Sequence, residues 1–273
     1  MQSTLLRFDQ YFASADAAKQ KRVQKALDVL RSAIDIFGLD GVCLSFNGGK
    51  DSTVLLHLLR IVLAKRVLEE VQLMHSKKNL ASSRTPLVDL LPDDELETRV
   101  QAQLQDIPVM YFDSYDQFLE VRAFTEKCTK MYALNCHVYK CSFVEGVKDM
   151  INTLKIKGIY MGVRGGDPYT DDMEHFAPSS PGWPPFLRVN PILKWTYADV
   201  WSFLRDCSLS YCTLYDHGYT SLGTVFDTVQ NPELWRKRND TREGHYLPAY
   251  ELKDGNSERC GRQKKAYTAS KSD

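Results

Sequence analysis

The stretch Ser45-Phe46-Asn47-Gly48-Gly49-Lys50-Asp51-Ser52 decides the fold. A short apolar run, Val42 to Phe46, leads into it, and a helical pattern from Asp51 to about Val71 leads out. Gly41 bounds the run on one side and the glycine pair on the other, so the segment reads as strand, glycine turn, helix. Two adjacent glycines let the backbone turn tightly and present several N–H groups outward. The start of the following helix adds partial positive charge, and the result is an anion nest to which Lys50 contributes a full charge. The spacing matches neither Gly-x4-Gly-Lys-Ser/Thr nor Gly-x-Gly-x-x-Gly. A turn whose glycines only satisfy geometry is the plain structural alternative.

Outward from this loop, helical and strand patterns alternate. Thr4 to Phe37 carries apolar residues near a 3.6 period, at Leu5, Phe8, Phe12, Val23, Leu27, Leu30 and Ile34, and predicts helix stopped by Gly38. A polar stretch from His75 to Pro92 predicts an exposed excursion before a helix from about Asp93 to Gln105. Val109 to Phe112 predicts a second strand, Phe118 to Met131 and Ser142 to Leu154 predict helices, and Gly158 to Val163 a third strand that runs into the turn Arg164 to Pro168. Pro178, Pro181, Gly182, Pro184 and Pro185 oppose regular structure between Asp171 and Pro185. Tyr197 to Arg205 predicts a helix begun by Thr196. Such alternation implies an α/β fold with a mostly parallel sheet covered on both faces. Residues 1–205 are expected to form the nucleotide-binding domain, with an insertion at about 75–105. Residues 206–273, dense in Tyr, Gly and Pro, are expected to form an irregular appendage or lid.

Composition narrows the function. With 273 residues and 14 Tyr, 12 Phe and 4 Trp, the chain is suited to a packed core and not to disorder. No run reaches the ~18 apolar residues of a bilayer span: Val54 to Val71 is interrupted by His57, Arg60, Lys65 and Arg66, so no membrane role is expected. The balance of 35 basic and 35 acidic residues argues against a nucleic-acid surface. Seven cysteines without Cys-x-x-Cys suggest reduced thiols, and the N-terminal residues lack a secretory or transit pattern, so cytoplasm is the expected location. Cys128, Cys136, His137 and Cys141 offer zinc-ligand types, against the alternative of a buried helical face.

The loop Ser45 to Ser52 resembles the SGGxDS-type pyrophosphate-binding loop of the adenine nucleotide alpha-hydrolase group, which includes PAPS reductases, ATP pyrophosphatases and lysidine synthetases. Further stretches choose within it. Gly162-Val163-Arg164-Gly165-Gly166-Asp167-Pro168, Arg188-Val189-Asn190-Pro191-Ile192, Trp195, Val200 to Arg205, Tyr211 to Gly223, Pro248 to Leu252 and Glu258-Arg259-Cys260-Gly261-Arg262 follow in order. Together they resemble the eukaryotic-type FMN adenylyltransferases, or FAD synthetases, over about Val42 to Arg262. The resemblance implies a Rossmann-like, PAPS reductase-like sheet domain. It also implies transfer of AMP from ATP to the phosphate of FMN, with ATP and FMN as substrates, FAD and pyrophosphate as products, Mg²⁺ as cofactor and flavin-accepting apoproteins as further partners.

The chemistry agrees with the residue types. A phosphate monoester is largely dianionic at neutral pH, so no general base is required, and catalysis rests on alignment and charge compensation. By the family pattern Ser45, Phe46, Asn47, Gly48, Gly49, Lys50, Asp51 and Ser52 hold ATP, with Gly162 beside them and Tyr111, Phe112 and Asp113 at the adenine edge. Asp51 and Asp167 are the candidate Mg²⁺ carboxylates; stabilising a helix start and bracing an Asp-Pro turn are their structural alternatives. Arg259 and Arg262 are candidate phosphate clamps which, with Asn47, Asp51 and Asp167, make up the catalytic set. FMN would meet Arg164, Asp167, Arg259, Arg262 and the aromatics Trp183, Phe186 and Trp195. A salt bridge for Arg164 and loop pinning for the aromatics are the alternatives. Gly165 stands where the family usually carries a second arginine.

Two other readings remain open on the sequence. A PAPS reductase-like sulfonucleotide enzyme needs a reactive thiolate near the C-terminus, where Cys260 lies. A non-catalytic nucleotide- or RNA-binding module needs a basic groove, for which the charge balance gives little support.

Overall fold

The computed structural model describes residues 1–77, 90–168, 170, 172–237 and 243–263. Most of the polar excursion and the end of the basic tail lie outside the described residues. Strand β1 (Val42–Ser45) sits inside a six-stranded sheet of order β3-β2-β1-β4-β6-β5. It pairs in parallel with β2 (Pro108–Phe112) on one side and β4 (Gly158–Tyr160) on the other. Edge strand β3 (Asn135–Tyr139) and strand β6 (Leu187–Val189) continue the parallel ladder, and β5 (Phe176–Pro178) closes the far edge antiparallel.

Alternation along the strands builds both faces. Val42, Leu44 and Val109 enter the larger core, whereas Cys43, Met110 and Ile159 face a smaller cluster with Val147, Met150 and Phe186. The larger core receives helices α1 (Gln2–Ser14), α2 (Ala17–Phe37), α3 (Lys50–Lys77), α4 (Asp93–Gln105), α5 (Leu119–Met131) and α7 (Tyr197–Asp206); the smaller receives α6 (Phe143–Leu154). α3 is buried almost all round from Val54 to Ala64, as expected of a helix enclosed on every side. Capping boxes start α6 at Ser142/Glu145 and α7 at Thr196/Asp199. Asp199 also takes two 2.9 Å hydrogen bonds from Arg22, which ties α7 to α2. Among the described residues no helix is long and apolar enough to cross a membrane.

The structure corrects several expected elements. Thr4 to Phe37 is two helices, because Ala15 is extended and the Asp16 carboxylate accepts the Lys19 N–H at 2.8 Å to begin a second one. Cys136 and His137 lie on edge strand β3 and not on a helical face, and no metal-binding group of three His, Cys, Asp or Glu exists among the described residues. The third strand ends at Tyr160, and the proline-rich loop contains β5, whose Pro178 is tolerated on the sheet edge. The inserted helix α4 packs its inner side on the domain: Leu96, Val100 and Leu104 are buried, and Glu97 receives Arg60 at 2.8 Å. Past Asp206 come 3-10 turns and a small hairpin of β7 (Trp235–Lys237) with β8 (Gly244–Tyr246). Leu214, Tyr215, Leu234, Ala249 and Leu252 of this region enter the larger core.

The chain leaves β1, builds β2 and β3 to one side, then crosses back to β4 on the other. The sheet order therefore switches between β1 and β4, where a crevice opens beyond the strands' carboxyl ends.

On α3, His57 is buried edge-on against Tyr132, with rings 5.4 Å apart, and its Nδ1 has no hydrogen-bond partner. Burial, aided by the Arg60 charge, pushes the imidazole down to about 3. The unfolded chain binds a proton near pH 6.5 that the folded chain refuses, so stability falls as pH drops below that value. Urea unfolding between pH 7 and 5 should show the wild type losing about 2 kcal/mol more than His57→Leu; parallel losses would refute this.

Candidate active site

The crevice is built from the loop between β1 and α3. Gly48 takes φ +70° with its back to α5, where a Cβ would meet Thr125 Oγ1 at 2.7 Å. Asn47 Oδ1 accepts from Gly49 N–H at 3.0 Å and from Ser52 Oγ at 2.8 Å, which folds the loop on itself. Lys50 N–H donates to the Tyr215 hydroxyl at 2.9 Å. Two of the expected nest amides thus have protein partners. Gly162, after β4, passes close behind: a Cβ there would lie 3.0 Å from Ser52 N.

Four charged side chains close a ring beside this loop. Lys50 Nζ meets Asp51 Oδ2 at 3.0 Å and Glu258 Oε1 at 2.5 Å. Arg164 Nε meets Asp51 Oδ1 at 2.7 Å, and its Nη2 bonds Glu258 Oε2. Charges alternate around the ring, and Lys50 and Arg164 side chains are only 2% and 6% exposed. Burial opposes the charge on Lys50, but Asp51 and Glu258 outweigh it and hold the ammonium above its ordinary range. Burial likewise opposes ionisation of Asp51, yet Lys50 and Arg164 bring its carboxyl below the usual carboxylate range. The same balance raises Arg164.

Asp167 stands outside the ring. Its Oδ2 accepts the Arg164 N–H at 2.8 Å. Burial pushes this carboxyl up; the bond and the Arg164 charge offset only part of it, and Asp51 and Glu258 add repulsion. Asp167 is therefore the carboxylate short of positive charge.

Two cavities meet here. One, of about 360 Å³, is walled by Asn47 to Ser52 without Gly48, by Gly162, Gln117 and Tyr215, and by Ser221 to Gly223. The other, of about 520 Å³, is walled by Arg164 to Asp167, Leu193 to Tyr197, Gly255 and Asn256. Asp167, Glu258 and Arg259 line both. Arg259 is exposed and has no ion pair among the described residues.

Of the residues expected at the site, Ser45, Asn47, Gly49, Lys50, Asp51, Ser52, Gly162, Asp167 and Arg259 line the first cavity, and Arg164 and Trp195 join the second. Others line neither cavity. Phe46 is core, Tyr111 is buried and hydrogen-bonded to Gln117, Phe112 packs between Tyr139 and Phe143, and Asp113 pairs with Arg122. Phe186 belongs to the smaller core and the partly buried Trp183 packs against it, and neither lines either cavity. Trp195 is 2% exposed, its Nε1 donating to the Arg22 carbonyl at 3.3 Å, which leaves no free ring face. Arg262 does not join Arg259, because Asp227 holds it at 3.0 Å behind Gly223. Glu258 and Tyr215 were not expected as site residues. The signal for Glu258 was its position directly before Arg259.

A family model for the phosphoadenosine phosphosulfate reductase domain matches residues 41–145 and 143–230. A protein of Schizosaccharomyces pombe described as a probable FAD synthase is 32% identical over 244 residues, covering 89% of this chain and 79% of that one. A probable FAD synthase of Caenorhabditis elegans is 34% identical over 246 residues, and there the match spans 40% of the longer relative. The crystal structure of Candida glabrata FMN adenylyltransferase with FMN and the ATP analog AMPCPP superposes with TM-score 0.74 at 23% identity, covering 97% of this chain and 96% of that one, which establishes a shared fold. The parallel sheet with its phosphate-type loop and the S. pombe match together place this chain in the FAD synthase family, on a domain of the phosphoadenosine phosphosulfate reductase type.

Proposed function

We propose that this chain transfers the adenylyl group of ATP to the phosphate of FMN, forming FAD and releasing pyrophosphate. The observation that carries this reading is the pair of cavities that meet at Asp167, Glu258 and Arg259. Two anionic substrates can then approach one point from two sides. A phosphate oxygen of FMN forms a bond to the α-phosphorus while the bond from that phosphorus to the bridging oxygen of pyrophosphate breaks. The attacking oxygen is already deprotonated, so no side chain has to remove a proton.

In this reading the loop and Lys50 hold the departing diphosphate in the smaller cavity, and FMN enters the larger one beside Arg164. Arg259, exposed at the junction, meets charge that develops on the transferring phosphoryl group. Arg262 supports the wall at Gly223 through Asp227 and does not touch substrate.

Both oxygens of Asp51 are engaged by cations, whereas Asp167 is half-buried, under-neutralised and faces both cavities. A hard cation with few protein ligands and several phosphate oxygens fits Asp167. Bound there, Mg²⁺ would offset charge on the phosphates. The described part of residues 206–263 supplies one wall of the site, and the cytoplasm, with flavin-accepting apoproteins, is the setting we assign. The sulfonucleotide reductase reading gains no support from Cys260, which follows the 3-10 turn Gly255–Arg259 and donates its N–H to Ser257 O at 3.0 Å within the site wall.

Incubation with FMN, ATP and Mg²⁺ should yield FAD and pyrophosphate in equal amounts; absence of both products would refute the reading. Arg259→Ala should lower turnover by at least ~10²-fold, the order for loss of a transition-state contact. Asp167→Asn should do likewise while leaving the ligand-free protein at least as stable at neutral pH. The folded-state pKa of Asp167 lies above the unfolded one, so rising pH through the carboxylate range ionises the unfolded chain first and lowers stability. The amide removes that cost and keeps an acceptor for the Arg164 N–H. A lower melting temperature for Asp167→Asn would contradict this account.

A further inference from the structure

We propose that Glu258 is an exchangeable counter-ion: its carboxylate pairs with Lys50, which lines the smaller cavity, and with Arg164, which lines the larger, and gives Lys50 up to phosphate oxygens when nucleotide enters. The inference rests on the reading of the smaller cavity as the nucleotide site.

Lys50 is almost wholly buried, and an ammonium in that position needs a negative partner at every stage. Asp51 supplies one partner permanently, since it follows Lys50 in the first turn of α3 and is held by Arg164 as well. Glu258 reaches in from the opposite wall, 208 residues along the chain from Lys50. Its two oxygens divide between two cations, Oε1 on Lys50 and Oε2 on Arg164, so that either cation can be released without the other. No other hydrogen bond holds that carboxylate among the described residues.

The backbone beneath it is fastened. Thr220 Oγ1 donates to Glu258 O at 2.6 Å, Asn231 Nδ2 donates to Ser257 O at 2.8 Å, and the Asp254 side chain caps the 3-10 turn. The side chain can therefore turn out into either cavity while the turn and Arg259 stay in place. Exchange keeps the cations paired throughout. When the diphosphate leaves, return of the carboxylate opposes its rebinding, so Glu258 acts as a positioning residue that sets nucleotide affinity against product release.

Calorimetric titration of inorganic pyrophosphate and ATP into the wild type, Glu258→Gln and Glu258→Ala tests this, alongside steady-state turnover. Both variants remove the competing charge and should bind pyrophosphate about tenfold more tightly or better, as for close charge pairs. KM for ATP and kcat should fall together, the signature of retained product. Glu258→Asp keeps the charge and should stay within about threefold of the wild type in pyrophosphate affinity. A purely structural role predicts weaker binding and a raised KM in the variants. Unchanged or weaker pyrophosphate binding by Glu258→Gln and Glu258→Ala, with circular dichroism showing folded protein, would overturn the proposal while leaving the nucleotide site intact. Failure of the wild type itself to bind either ligand would instead remove the nucleotide site, and this inference with it.

Discussion

The closed ring of Lys50, Asp51, Arg164 and Glu258 is the constraint on which the site depends. Its members come from the start of α3, the segment after β4 and the last 3-10 turn, so the ring can form only when the sheet, its crossover and the C-terminal region are assembled. Its cost is desolvation. Two cations almost out of water are tolerable because each has two anionic neighbours. The ring thereby couples folding of the C-terminal segment to the phosphate-type loop. The Tyr215 hydroxyl on Lys50 N–H adds a neutral tie between the same two regions.

The same surroundings give two aspartates opposite characters. Asp51 is held ionised by Lys50 and Arg164, while burial and the neighbouring carboxylates oppose ionisation of Asp167. Environments that push like groups apart divide their roles. Asp51 is thereby held within the ring, and Asp167 stands outside it with less positive charge around it. Sequence pattern alone treats both as carboxylates near glycines, because the difference lies in which cations reach them.

That contrast marks what was legible. The sheet core was readable because Val42, Leu44 and Val109 alternate with residues facing the other side. Edge strand β3 was not, since Val138 is 56% exposed and its pattern lacks a continuous apolar side. The loop Ser45 to Ser52 was readable because its chemistry is contiguous. Glu258 was not, because its partners are remote in sequence. Phe186 and Trp195 lie buried because a large ring gains most from burial, and the partly buried Trp183 packs against the smaller cluster. Spacing pairs Arg262 with Arg259, whereas Asp227, across the appendage, fixes it elsewhere.

A neutral ring also suits a reaction between two polyanions. Permanently exposed cations clustered at one point would hold any phosphate, substrate or product, without discrimination. Here the cations outside the ring, Arg259 at the junction and Lys194 in the larger cavity, are few and exposed, so salt screens their long-range attraction. The stronger charges, Lys50 and Arg164, lie in a low-dielectric wall where each is already matched. An anion that approaches either cation therefore meets a charge-balanced wall, in which Asp51 and Glu258 already hold both.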